Sequence, residues 1–422
     1  MLKPLEAKPL KLSQPMGALL AFLGVKNCMP LMHGAQGCAS FAKVFFTRHF
    51  NDPIAIQTSA VNDITAVIDG GDYSISEAVK NITAKVSPEL IGLFTTGLTE
   101  TKGDDIKGVA SVLQPEHNIV YVHTPDFEGG LESGYAKTVE AMIEQLVKPQ
   151  EHIGQKITLI PHVSMTPLEV ENIKAHIEQF GWDVFALPDI SESLDGHLGE
   201  KQGALSSNGI SVPEIEDLGS SCAVITIGNS VYGCGEKLCS KNQNMQHLHF
   251  DTIGGLRASD TFYGELMKLS HAAHPHSSAV RWRKRLQDAL LDTHFILGGC
   301  KVVLACEPDQ IISLSSILIE AGVEIQAVVS SSKSSALSNI QSKHIIIGDL
   351  DDAEEFLDEH TLLITNFHGE RLSKKYHNAL LMRGFPNYET LGNQLKDDTL
   401  YQGSAMLLFE AANCVATHMH HE

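Results

Sequence analysis

Short β-branched runs, each followed by a stretch of helical spacing, recur along the whole chain, and this alternation constrains the fold most. In the last third, Lys301-Val-Val-Leu-Ala305 precedes a helical pattern over 309–321 that closes at Gly322, and a second run covers 323–330. Runs at 344–348 and 361–365 repeat the strand signal. The middle third offers strands at 157–160, 182–187 and 222–227, with a helix opened by Thr166-Pro167-Leu-Glu169 and ended by Gly181. Thr166 can cap that helix, Pro167 suits its first turn, and Glu169 completes a capping box. The first third adds strands at 90–94 and 119–123 and helical patterns at 76–86 and 133–147. Strands separated by helices pair in parallel, so the predicted class is α/β, with parallel sheets flanked by helices. Turn residues at Pro149-Gln150 and Gly298-Gly299 divide the chain into three such blocks, 1–150, 151–297 and 298–422.

The 422 residues, 43% of them hydrophobic, suffice for two to three cores at roughly 150 residues each. Acidic residues number 51 against 31 basic ones, a formal charge of -20, so the surface repels phosphate backbones and nucleic acid is excluded as a natural partner. The apolar run 16–25 falls short of the roughly 18 residues a membrane helix requires. Glu6, Pro9 and Pro15 interrupt it as a secretory signal, so the expectation is mature, cytoplasmic sequence with no membrane contact. Eight unevenly spaced cysteines make no disulfide framework, and most are expected to be small buried packing residues.

Several motifs begin but do not complete. Gly228-Asn-Ser-Val-Tyr-Gly233 has the opening spacing of a phosphate loop, yet Cys234-Gly235 stands where the lysine and hydroxyl residue belong, so a glycine-rich turn is the better reading. Cys234, Cys239, His247 and His249 suggest zinc, but the spacing does not repeat. His271, His274 and His276 read as a polar helix junction, and the histidines of 417–421 as a solvated tail. There is no Gly-x-Ser-x-Gly elbow, which leaves nucleophilic hydrolysis without a motif.

The informative segments are Lys11-Leu-Ser13-Gln14-Pro15-Met16-Gly17, Met32-His33-Gly34-Ala35-Gln36-Gly37-Cys38 and Thr95-Thr96-Gly97-Leu98-Thr99-Glu100. Cys38 lies in a glycine-rich loop whose backbone amides can favour a thiolate and donate hydrogen bonds to sulfide. A four-iron cluster needs about four thiolates, so other chains must supply the rest if Cys38 is a ligand.

Together with Phe45-Phe-Thr-Arg48-His49-Phe50, Pro125-Asp-Phe127 and Leu400-Tyr-Gln-Gly403, these segments closely resemble the nitrogenase component 1 superfamily, in its cofactor-assembly branch. The resemblance spans about 10–412. It implies three Rossmann-like domains, the first carrying the cluster-binding cysteine loop. In the β subunit of molybdenum-iron nitrogenase, P-cluster cysteines occupy the positions of Ser13, Cys38 and Gly97; here only Cys38 remains. The resemblance therefore implies an assembly scaffold, not a nitrogenase, with Cys38 as the one cofactor-binding and metal-ligating residue and no catalytic residue in this chain. It further implies a heterotetramer with NifE, which supplies three ligands to a shared 4Fe-4S cluster and holds most of the transient iron-molybdenum cofactor precursor. NifB would deliver that precursor, the Fe protein NifH would dock during maturation, and apo-nitrogenase would accept the product. Two alternatives stand beside it: a related reductase subunit, such as light-independent protochlorophyllide reductase, and the assembly system of a vanadium nitrogenase.

Overall fold

Three sheets carry the alternation in a computed structural model, which describes residues 10–50, 54–61, 71–195, 204–206 and 208–420. The first contains β1 (Cys28–His33), β2 (Gln57–Thr58), β3 (Leu90–Thr95) and β4 (Ile119–Val122), in the order β2-β1-β3-β4. The second contains β5 (Lys156–Pro161), β6 (Asp183–Ala186), β7 (Ala223–Ile227) and β8 (Gln246–Phe250), in the order β6-β5-β7-β8. The third contains β9 (Lys301–Ala305), β10 (Glu324–Ser330), β11 (Ser342–Ile347), β12 (Thr361–Thr365) and β13 (Ala379–Met382), in the order β11-β10-β9-β12-β13. Neighbours pair in parallel throughout the first and third sheets, and β5 pairs in parallel with both β6 and β7. Helices make the crossovers, as expected for α/β.

The strands missing from the sequence reading are β1, β2, β8 and β13. β1 reads Cys-Met-Pro-Leu-Met-His, with no β-branched residue, yet all six of its residues are buried. Its burial between flanking helices and its full register with β3 override weak local propensity. Pro30, which cannot donate to a ladder, lies beyond the two-residue pairing with β2 at Leu31 and Met32. The apolar run at 16–25 forms the helix Gln14–Leu23, buried on every side. It approaches the helix Leu131–Leu146 through glycines: a Cβ on Gly17 would fall 2.1 Å from the Leu131 carbonyl oxygen, and one on Gly134 2.0 Å from that of Gln14. The Thr166–Glu169 capping box forms as expected. Among the described residues, no helix is long and apolar enough to cross a membrane.

Two compact units contain these sheets. Ser13–His249 is one, built on the first and second sheets. The other is residues 250–420 with Leu10–Leu12, built on the third. In this second unit the helix Ser277–Leu297 packs along Leu400–His420, so the segment preceding β9 belongs to the same unit as the third sheet. Each sheet has a point where successive crossovers depart in opposite directions: between β1 and β3, between β5 and β7, and between β9 and β12. At such points the loops after the strands diverge and leave a crevice, the usual ligand position in open α/β sheets.

Candidate functional site

The crevice of the first sheet is bounded by the loops that leave β1 and β3. His33 and Thr95 end these strands opposite each other in register. After His33 the chain turns at Gly34-Ala35 into the helix Gln36–Phe46, whose N-cap Ala35 makes no side-chain cap. Cys38 lies in the first turn of this helix and is exposed, alone among the eight cysteines. Cys28, Cys234 and Cys306 are buried. Burial pushes all three of these thiols up, Cys306 to about 12, so they stay protonated and inert. The half-buried Cys222, Cys239, Cys300 and Cys414 are shifted upward for the same reason.

A hydrogen-bond chain fixes the start of this loop. The Gly34 amide donates to Ser59 Oγ (3.2 Å), Ser59 Oγ lies 2.7 Å from His33 Nδ1, and His33 Nε2 lies 2.9 Å from Asp104 Oδ2. The Gly71 amide donates to the other Asp104 oxygen at 3.2 Å. A carboxylate only accepts, so His33 carries its proton on Nε2 and accepts the Ser59 proton at Nδ1. His33 is fully buried, and desolvation holds its pKa below the ordinary value against the opposing pull of Asp104. The ring is therefore neutral at pH 7. Its carbonyl oxygen accepts from the Thr96 hydroxyl at 3.1 Å and lies 3.0 Å from that of Thr99, which ties the β3 loop to the β1 loop.

Gly97 opens the short helix Gly97–Lys102 on that second loop, and its amide donates to Asp126 Oδ2 at 2.9 Å. A Cβ at Gly97 would stand 3.2 Å from the same oxygen, so this chain's own carboxylate occupies the space a side chain would enter. Glu100 accepts from the Thr95 hydroxyl and lies 2.7 Å from His123 Nδ1. Ser13 is the N-cap of Gln14–Leu23 and makes no side-chain cap. That helix packs where Leu131–Leu146 begins, just after the Asp126 loop, so Ser13 lies toward the same end of the sheet as the loops that carry Cys38 and Gly97. Phe41, Val44, Leu98 and Phe127 are exposed on the segments around them.

The sequence singles out Cys38 but gives no role to His33, Ser59, Asp104 or Asp126. Ser59 and Asp104 carry no local signature, since their partner His33 lies 26 and 71 residues from them in sequence. Pro125-Asp-Phe127 stands out in the sequence only through its resemblance.

The remaining motifs resolve into packing. Gly228 has φ 104°, a left-handed turn leading into the helix Tyr232–Cys239. Cys234 Sγ contacts the Ala136 carbonyl oxygen, while His247 Nε2 and His249 Nδ1 meet the Thr226 hydroxyl at 2.8 and 2.9 Å. His271 ends one helix in the left-handed region, and His276 caps the next by accepting from the Ser278 amide. Among the described residues, no group of three or more histidine, cysteine, aspartate or glutamate side chains could hold a metal ion.

A family model described as nitrogenase component 1 type oxidoreductase matches residues 13–416. The nitrogenase iron-molybdenum cofactor biosynthesis protein NifN of Rippkaea orientalis is 37% identical, with 99% of this chain and 96% of the relative covered. The protein of the same name from Rhizobium meliloti is 38% identical, over 97% of this chain and 95% of its own length. A solved chain of nitrogenase Cp1 at pH 6.5 superposes with a TM-score of 0.92 at 28% identity, covering 100% of this chain and 96% of that one.

Proposed function

This chain belongs to the nitrogenase component 1 type oxidoreductase family, and from that premise we propose that it is one subunit of a scaffold on which the iron-molybdenum cofactor precursor of nitrogenase is matured. The observation that carries this reading is the arrangement at the first sheet's edge. One exposed cysteine lies toward the same end of the first sheet as two positions that offer no thiolate, Ser13 and an Asp126-filled Gly97. The chain's donors therefore fit a single corner of an iron-sulfur cluster. Cys38 is that ligand, NifE supplies the other three to a shared 4Fe-4S cluster, and the precursor rests mainly in NifE. Such a cluster, when bound, stores and passes single electrons.

The rest of this chain's part is positional. The Gly34–Ser59–His33–Asp104 chain fixes the loop that presents Cys38, so the thiolate is offered with little freedom left to lose. Phe41, Val44, Leu98 and Phe127 form an apolar rim that a partner chain would cover, excluding water. In the same reading the chain has three α/β domains, one built on each sheet, acts in the cytoplasm, and works as a binding scaffold without catalysis of its own. NifB donates the precursor, NifH docks, and apo-nitrogenase receives the cofactor. Docking to NifH would weaken with salt if the net charge of -20 takes part. An association rate equal at low and high salt refutes that step.

The test of the scaffold is anaerobic co-purification with the NifE-type partner, followed by iron content and electron paramagnetic resonance. Wild type should carry a reduced 4Fe-4S signal that Cys38→Ser loses while the complex stays folded. Equal iron in the two complexes removes Cys38 as a ligand, and the reading with it.

A further inference from the structure

The outer edge of the first sheet is open. β2 is its end strand, and among the described residues no strand pairs with its far side. The Ser59 amide donates to the Met32 carbonyl oxygen while Thr58 stands opposite Met32, so the Thr58 N–H and C=O face away from β1. A cleft of about 480 Å³ lies between this edge and the helix Asp72–Thr83. Met29, Ile82 and Val86 supply its apolar lining. Glu77 and Asn81 line it one helical turn apart, and Lys85 follows in the turn after the helix, where its amide donates to the Ile82 carbonyl oxygen. All three are exposed, and among the described residues none of their side chains has a hydrogen-bond or ion-pair partner. Ser59 belongs to the same lining and receives the Gly34 amide, so the cleft backs the loop that presents Cys38.

We propose that this cleft docks an extended segment of a partner chain, which adds a strand to β2 and carries a basic and an acidic side chain at i and i+4 with an apolar one midway. Strand addition to an open sheet edge draws affinity from main-chain hydrogen bonds and selectivity from alternate side chains. Thr58 supplies the main-chain donor and acceptor. From Glu77 to Lys85 is about 12 Å at about 1.5 Å per helical residue, and residues i and i+4 of a strand, which share a face, lie about 13 Å apart at about 3.3 Å each. A basic side chain at one end therefore meets Glu77, an acidic one at the other meets Lys85, and residue i+2 enters the apolar lining between them. The lining holds no aromatic ring and, in Lys85, a single cation, so a nucleotide would find neither a stacking surface nor a phosphate clamp. The site uses neither iron nor Cys38 and stands or falls separately from the scaffold reading.

The probe is the end-capped, fluorescein-labelled peptide Thr-Lys-Thr-Val-Thr-Glu-Thr, titrated with the full-length chain and read by fluorescence anisotropy. It should bind about fivefold more tightly than the same peptide with two lysines or two glutamates at the charged positions, since each of these exchanges an attraction for a repulsion. Glu77→Lys should reverse the order in favour of the two-glutamate peptide, whichever way the strand runs. N-methylation of one set of alternate peptide amides should abolish binding to the wild-type chain, while methylation of the other set spares it. Thr58→Pro removes the outward N–H without touching the ladder to β1, and should weaken binding about tenfold at an unchanged melting temperature. Should that variant melt early, the methylated peptides decide, because they use the wild-type chain. No binding at millimolar peptide, equal binding of all three peptides, or equal loss from both methylation patterns overturns the proposal. So does binding that survives Thr58→Pro in the folded variant, which would put a ligand in the cleft without strand addition.

Discussion

Asp104→Ala tests whether the loop presenting Cys38 is held by the buried relay beneath it. The substitution removes the acceptor of His33 Nε2 (2.9 Å) and of the Gly71 amide (3.2 Å). Both donors are buried, and the Asp104 side chain is itself only 4% exposed. A buried donor left without its acceptor costs about 1–3 kcal/mol, so the pair should lose about 2–6 kcal/mol. The Lys102 contact, at 3.6 Å, adds little. In a unit of this size each kcal/mol lowers the melting temperature by about 2–4 °C, which places the expected drop near 10 °C.

The same site makes a statement about pH. His33 has a folded pKa below its unfolded value, so the unfolded state binds the proton more readily. Its contribution is intact above about 6.5 and is lost as pH falls from there through the depressed folded value. His33→Asn should flatten that part of the profile. The assay is chemical and thermal unfolding of the full chain between pH 5 and 8, beside iron content of the partner complex. An Asp104→Ala variant within about 0.5 kcal/mol of wild type would refute the reasoning, because that is the ordinary range for a surface substitution.

Other parts of the molecule give independent checks. Arg383→Met leaves the Asp398 and Glu410 carboxylates facing each other without their guanidinium and should cost about 3 kcal/mol at pH 7. Wild-type Glu410 is held below its ordinary pKa, a contribution present above the unfolded carboxylate range and lost as pH falls, so the deficit should shrink toward pH 4; a pH-independent deficit counts against it. Gly134→Ala drives a methyl to 2.0 Å from the Gln14 carbonyl oxygen, where only backbone can yield, and should cost at least about 2 kcal/mol in urea unfolding. An unchanged midpoint would mean that the two helices separate freely.

Much of the architecture was legible because it rests on local rules. The runs at 301–305, 361–365 and 223–227 carry their own β-branched side chains, and Thr166-Pro-Leu-Glu169 states a helix start in four letters. The class follows from their alternation. Cys38 could be singled out as a candidate for a related reason, since a cysteine among glycines is a chemical signal confined to a few neighbouring positions.

What tertiary structure alone decided are the relations between distant segments. Cys-Met-Pro-Leu-Met-His became a central strand only because the sheet and helices around it bury both its faces. Ser59 and Asp104 acquired their roles when folding placed them at the two nitrogens of His33, and Asp126 when its loop closed over Gly97. The inertness of the other cysteines is a matter of burial. Desolvation depends on every neighbour at once, and no stretch of sequence encodes its neighbours.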